Sequence, residues 1–267
     1  MNKLFTTLSI VAFALSSYAT PAFTHEEAYV KGEQAFQSGN YEEALNNLNA
    51  AISEASDRYK YFYLRALVNK NLERPEDAIA DFTRAINLKP AAEALYERGV
   101  LHLDNGDMDA AKSDFEDVEM VGNNFKNIQY YLGLIYYRAG VHEYAVKSFK
   151  SYVSLTGGDG ETFYYLGLAQ ASLKWYDAAI ENLSKALPYK KNNLLIHVKM
   201  YDLYVQMNKT EKAIESLSAM IEMSSGSKRG EYYLERSLLY SQLGDIEKAN
   251  TDRTNARQST ASVFSEM

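Results

Sequence analysis

Apolar residues return along this chain with a long period as well as a short one. Within segments of about a dozen residues they recur every three or four positions, the spacing of one helix face. Across segments a small residue comes back as Ala44, Ala78, Ala111, Ala145, Ala179, Ala213 and Ala249, at intervals of 34, 33, 34, 34, 34 and 36 residues. Four positions after each stands a bulky apolar residue, Leu48, Phe82, Phe115, Phe149, Leu183 and Leu217, and in the last unit Arg253. Small and large residues held at fixed offsets in a repeat of this length predict a stacked array of helix pairs.

The fourth unit is the clearest. Asn127 to Tyr137 carries apolar residues at helical spacing, Arg138-Ala139-Gly140 interrupts, and a second helix is expected from His142 to Leu155. Gly32, Gly99, Gly133 and Gly167 fall inside first helices, where glycine costs about 1 kcal/mol relative to alanine, so close packing of the paired helices is expected there. Gly39, Gly106, Gly140 and Gly244 suit helix C-termini that need a left-handed residue. The second unit has Glu73-Arg74-Pro75 instead, with Pro75 at the first helical position, and closes at Pro90. The sixth unit has Tyr201 in place of the mid-helix glycine, which predicts a splayed pair. An insertion around Ser224-Ser225-Gly226-Ser227-Lys228 sets the longest interval. In the seventh unit the second helix, Asp245 to Arg257, is almost wholly polar and reads as a cap for the end of the array, with a frayed end from Gln258 on.

These units resemble tetratricopeptide repeats. Gly39-Asn40-Tyr41-Glu42-Glu43-Ala44 and Ala85-Ile86-Asn87-Leu88-Lys89-Pro90 match the family's turn and closing segment, and Leu132-Gly133 with Tyr136, and Leu166-Gly167, match its first helix. The resemblance covers residues 25–263, read as repeats 25–58, 59–91, 92–125, 126–159, 160–193, 194–229 and 230–263, with 264–267 a tail. It implies an all-α fold, an α-solenoid of about seven helix-turn-helix units whose first helices line a concave groove that binds a protein or peptide.

Residues 1–19 read as a signal peptide: Lys3 precedes an apolar run from Leu4 to Leu15, and Ser17-Tyr18-Ala19 offers small residues for cleavage after Ala19. Cleavage after Ala22 is the alternative; residues 20–24 are then a short leader. The run is shorter than the roughly 20 residues of a membrane span, so no stable membrane insertion is expected once it is removed. An exported destination, periplasmic or secreted, follows. The chain has no cysteine, so no disulfide staples it. Its formal net charge is −7, and loss of Lys3 makes it more negative, which disfavours nucleic acid.

No catalytic constellation emerges. His25, His102, His142 and His197 fall in different units without ligand spacing, and without cysteine most structural zinc sites are gone. Asp104-Asn105-Gly106-Asp107-Met108-Asp109 has its glycine too early for a calcium loop and Phe115 where the closing glutamate belongs. Gly157-Gly158-Asp159-Gly160 lacks a following Lys-Ser/Thr and is a loop. A non-enzyme without metal or cofactor is expected.

Two features suit recognition. If the first helices line a groove as in the family, Tyr29, Tyr63, Glu97, Tyr130, Tyr164, Val198 and Leu234 point inward, followed one helical turn later by Glu33, Leu67, Val100, Leu134, Leu168, Asp202 and Leu238. Tyr137 and Arg138 extend the set. Tyrosine, apolar in body and polar at its tip, is an effective contact residue, although such tyrosines can also pack between neighbouring units. Family members that grip acidic chaperone C-termini use lysine and asparagine at these positions; here the first unit offers Tyr29 and Glu33. The second feature is an acidic third unit, where Glu93, Glu97, Asp114, Glu116, Asp117 and Glu119 outnumber Arg98 and Lys112. Such a patch steers a basic partner or simply solvates a helix face. The expected function is an exported protein-binding scaffold of open oligomeric state, or alternatively a membrane-tethered assembly factor for an envelope complex.

Overall fold

All seven turns within the helix pairs are closed by one left-handed residue. Gly39, Gly106, Gly140 and Gly244 have φ of 77°, 82°, 75° and 78°, and the same position is held by Glu73 at 56°, Lys174 at 61° and Asn208 at 54°. The next backbone N–H then reaches back across the end of the helix: Asn40 donates to the Ala35 carbonyl at 2.8 Å, Arg74 to Asn69 at 2.9 Å and Trp175 to Gln170 at 2.9 Å. That bond satisfies a carbonyl the helix end leaves open, and it fixes the reversal on which each pair depends.

The computed structural model describes residues 24–122, 125, 127–189 and 193–265; the expected signal peptide, 1–19, lies outside them. The described residues form fourteen α-helices and no strand. Two compact units meet in sequence at Gly106 and Asp107, inside the turn of the third repeat. The first holds α1 (His25–Gln37), α2 (Tyr41–Glu54), α3 (Tyr59–Asn71), α4 (Pro75–Leu88) and α5 (Ala92–Asp104). The second holds α6 (Met108–Val121), α7 (Ile128–Arg138), α8 (His142–Thr156), α9 (Gly160–Ser172), α10 (Tyr176–Ala186), α11 (Leu194–Gln206), α12 (Thr210–Glu222), α13 (Gly226–Gln242) and α14 (Ile246–Ser265).

Local chemistry places the starts. Thr24 and Glu27 form a reciprocal capping box at α1, Pro75 opens α4, and Asp159, in the glycine-rich loop, caps α9 by accepting the Thr162 N–H at 2.8 Å. The insertion lengthens α13, which starts at Gly226 and runs 17 residues. One expectation is corrected. The last helix does not fray at Gln258 but runs to Ser265, since no glycine or proline interrupts 246–265.

Packing within each pair sets a small residue against a large one. All seven repeat alanines are fully buried, as are Leu48, Phe82, Phe115, Phe149, Leu183 and Leu217. A Cβ on Gly133 would lie 2.6 Å from Phe149 Cε1, and one on Gly32 or Gly167 would lie 2.9 or 2.8 Å from Cγ of Leu48 or Leu183. Ala213 and Leu217 are fully buried in the sixth pair too, and Tyr201 lines a cleft of about 360 Å³ with Val205, Glu235 and Leu238.

Two substitutions test this account. Gly133→Ala should lower stability by about 1–2 kcal/mol, because overpacking against Phe149 outweighs the helix-propensity gain. Lys174→Gly should raise it by about 0.5–1 kcal/mol by relieving a left-handed side chain. Urea unfolding of both variants checks the opposite signs.

Candidate functional site

In the first unit the predicted face is built on α1 and α3. Tyr29 stacks on buried Tyr61 at 4.9 Å and donates to Glu33 at 3.2 Å, while Lys60 Nζ stands 4.4 Å from the Tyr29 ring centroid. Tyr63 stacks on Tyr59 at 5.6 Å and meets the edge of Phe82 at 5.8 Å. Leu67 is half-buried beside it. Burial, reinforced by Glu33, pushes the Tyr29 phenol up to about 12, and burial does the same to Tyr59. These phenols therefore stay protonated and offer hydroxyl donors and ring surface.

The register of the third repeat is corrected here. Counting from Gly99 as from Gly32, the counterpart of Tyr29 and Tyr63 is half-buried Tyr96, one residue before Glu97. Glu97 instead accepts Lys70 Nζ at 2.6 Å. Of the acidic residues, Glu93 and Glu97 belong to the first unit and the other four to the second, where Asp114 is a correction. Asp114 is 2% exposed, Glu116 sits 3.5 Å from Lys112, and Glu119 accepts the Gln129 amide.

In the second unit the aromatic residues form a connected series. Tyr131 stacks on Phe115 at 5.3 Å and Tyr165 on Phe149 at 6.3 Å, each ring sixteen residues after its phenylalanine. Tyr130 touches Tyr131, Tyr152 and Phe149 with centroids 5.6, 5.6 and 6.2 Å away, and its hydroxyl bonds Glu161. Tyr130 thus packs mainly inside the fourth repeat, with its hydroxyl reaching the fifth. Tyr137 and Tyr164 each meet Tyr165 edge-on, at 5.7 and 5.4 Å. Leu134 is a correction: at 7% exposure it lies in the core with Phe149 and Leu166, beneath the face. Tyr164, Tyr137 and Leu168 stay half-buried, and Arg138 is exposed. Burial raises the phenols of Tyr137 and Tyr164 as well.

Sequence reasoning missed a set of ionic clamps. Arg65 forks onto Asp81 at 2.8 and 2.6 Å, and Arg236 onto Asp252 at 2.8 and 2.8 Å, again sixteen residues apart. The remaining nitrogen reaches the second helix of the preceding repeat: Arg65 to Asn49 at 2.7 Å and Arg236 to Ser218 at 2.8 Å. Each fork thereby ties two repeats together. The only trace in sequence is the recurring Arg-to-Asp spacing.

A family model described as a tetratricopeptide repeat matches residues 29–86 and again 63–118. The chain also superimposes on the C-terminal part of a TPR repeat-containing protein from Cytophaga hutchinsonii with TM-score 0.66, at 19% identity, over 86% of this chain and 95% of that one. Residues 29–118 are tetratricopeptide repeats. The chain's α-solenoid class is shared with YrrB, described as a TPR protein with an unusual peptide-binding site (TM-score 0.60, 21% identity, 66% of this chain and 92% of that one). Among curated proteins, the chain is 26% identical over 223 residues to DnaJ homolog subfamily C member 3 of Gallus gallus, covering 83% of this chain and 40% of that protein. It is 34% identical over 92 residues to the Hsp70-Hsp90 organizing protein of Triticum aestivum, covering 34% and 16%. The chain thus spans less than half the length of these two relatives.

The clamp is tested by substitution. Asp252→Ala should cost about 3 kcal/mol by leaving Arg236 unpaired in a mostly buried setting. Arg236→Leu combined with Asp252→Ser, which copies Leu132 and Ser148 of the fourth repeat, should recover most of that loss. Chemical denaturation of the single and double variants reads both.

Proposed function

We propose that this protein is an exported scaffold that holds a segment of a partner protein against the first-helix face of its repeats. Protein binding is the coarse function the repeat class supports; the finer reading rests on one observation. Tyr63 and Tyr164, with Leu67 and Leu168 one turn on, are half-buried, and burial keeps both phenols protonated. Such residues present stiff ring area with little side-chain entropy to lose, the profile of a contact hot spot. The peptide-binding site named for YrrB supports the same kind of ligand. A segment carrying spaced apolar side chains suits a surface of rings and leucines. Export rests on the leader pattern of residues 1–19. No described helix is long and apolar enough to cross a membrane.

A displayed library of random peptides, selected on the full chain, tests the reading. Selected peptides should carry apolar residues at regular spacing. Tyr164→Ala or Tyr63→Ala should weaken the peptides that depend on that unit about 10- to 30-fold, roughly 1.4–2 kcal/mol, with the melting temperature within a few degrees of wild type. Tyr130→Ala should instead lower the melting temperature. Selection of peptides indifferent to both Tyr63 and Tyr164 overturns the proposal.

A further inference from the structure

The last repeat ends on a surface that every other repeat covers. In each earlier unit the bulky residue of the second helix, Leu48 through Leu217, is fully buried. In unit one Leu48 packs with Leu64 and Val68 of the following first helix, and Ala51 with Tyr61. The corresponding seat on α13 and α14 holds Leu234, Leu238, Arg253, Ala256 and Arg257 around a cleft of about 510 Å³. Leu234 is 50% and Leu238 59% exposed. Arginine replaces the buried leucine or phenylalanine, so the seat is apolar at its centre and cationic along one side. The acid lining it, Glu231, is held by Lys228 at 2.6 Å.

The opposite end of the array is complementary. The positions through which α3 packs on repeat one, Tyr61, Leu64 and Val68, are Glu27, Val30 and Gln34 in α1 by the 34-residue count. They face outward around a shallow apolar cleft of about 530 Å³ lined by Glu26, Glu27, Val30, Lys31 and Gln34, and Val30 is 42% exposed. Glu26 is engaged with Lys60 and Tyr61, while Glu27 accepts only the Thr24 N–H.

We infer that α1 of one copy docks on the α13–α14 seat of a second copy, continuing the repeat stack from chain to chain. Placed as α3 sits on repeat one, α1 brings Glu27 opposite Arg257, the place of the Tyr61–Ile52 contact. Val30 enters beside the Arg253 stem, where Leu64 meets Leu48. Lys31, at the position of Arg65, comes to Thr254, at the position of Asn49. Three independent matches of charge, apolar surface and hydrogen bonding thus fall in one register. The contact is heterologous: each copy keeps a free head and a free tail, so the association grows with concentration instead of stopping at a symmetric dimer. It leaves Tyr63 and Tyr164 uncovered and stands apart from the peptide-binding proposal.

Sedimentation velocity of the full chain from micromolar to millimolar concentration tests it, with circular dichroism confirming that each variant is folded. Wild type should grow in mass with concentration and shrink as salt is added. Val30→Asp, which spoils the head, and Leu238→Asp, which spoils the tail, should each stay monomeric. Their equimolar mixture should form a one-to-one dimer and nothing larger. Glu27→Lys should weaken association at least 10-fold, and mixing it with Arg257→Glu should restore growth. A wild type that stays monomeric throughout overturns the inference and leaves the seat to another partner. So does either spoiled variant forming dimers alone, since that is the mark of a symmetric interface.

Discussion

The contact between a small residue on one helix and a large one on its partner carries the rest of this structure. Where Gly133 faces Phe149 or Gly167 faces Leu183, no room remains even for a methyl group. That closeness lets a unit of about 34 residues bury a bulky side chain completely, which an isolated helix pair of this size achieves only by stacking on neighbours. The left-handed turn residue serves the same contact by reversing the chain in two or three residues. Tyr201 stands where the other repeats keep a small residue, and it lines a cleft with Glu235. Burial raises the Glu235 carboxyl above the usual range, with Tyr201 bonded to it.

Joining one pair to the next is a separate problem, and this chain solves it in two ways. Repeats four and five use rings, Tyr131 on Phe115 and Tyr165 on Phe149. Elsewhere arginine forks at Arg65 and Arg236 hold a buried aspartate and the preceding second helix together. Rings and forks occupy neighbouring positions of the repeat, so what changes along the array is the chemistry of the joint while its geometry is kept. Tyr131 and Tyr165 serve the joint, whereas Tyr63, Tyr137 and Tyr164 are half-buried beside it.

Much of the fold was legible in the sequence, for a physical reason. Glycine inside a helix and glycine at its end each violate a local preference, so Gly133 and Gly140 announce their roles without any structure. A leucine at an apolar position announces only that it is covered on one side. Periodicity therefore assigned Leu134 to the open face, while three-dimensional packing places it under Phe149. The second repeat is one residue shorter, and that single step moved the inward position from Tyr96 to Glu97. The acidic residues of that repeat looked like one patch because charge adds up along a chain, yet Asp114 points into the interior. The arginine forks were least visible, because a pairing across sixteen residues has no local signature. The leader of residues 1–22 lies outside the described residues, and the exported destination rests on its composition alone.

The central claim is that the outward tyrosines and leucines of the first helices are where a partner segment lies. A photo-crosslinking side chain placed at Leu168, compared with one at exposed Lys147 on α8, tests it most directly when the protein is expressed with its own leader in its native cell. The account predicts one dominant partner captured from position 168, with the crosslinked fragment of that partner rich in apolar residues, and no such product from position 147. Equal capture from both positions, or capture from 147 alone, would contradict it.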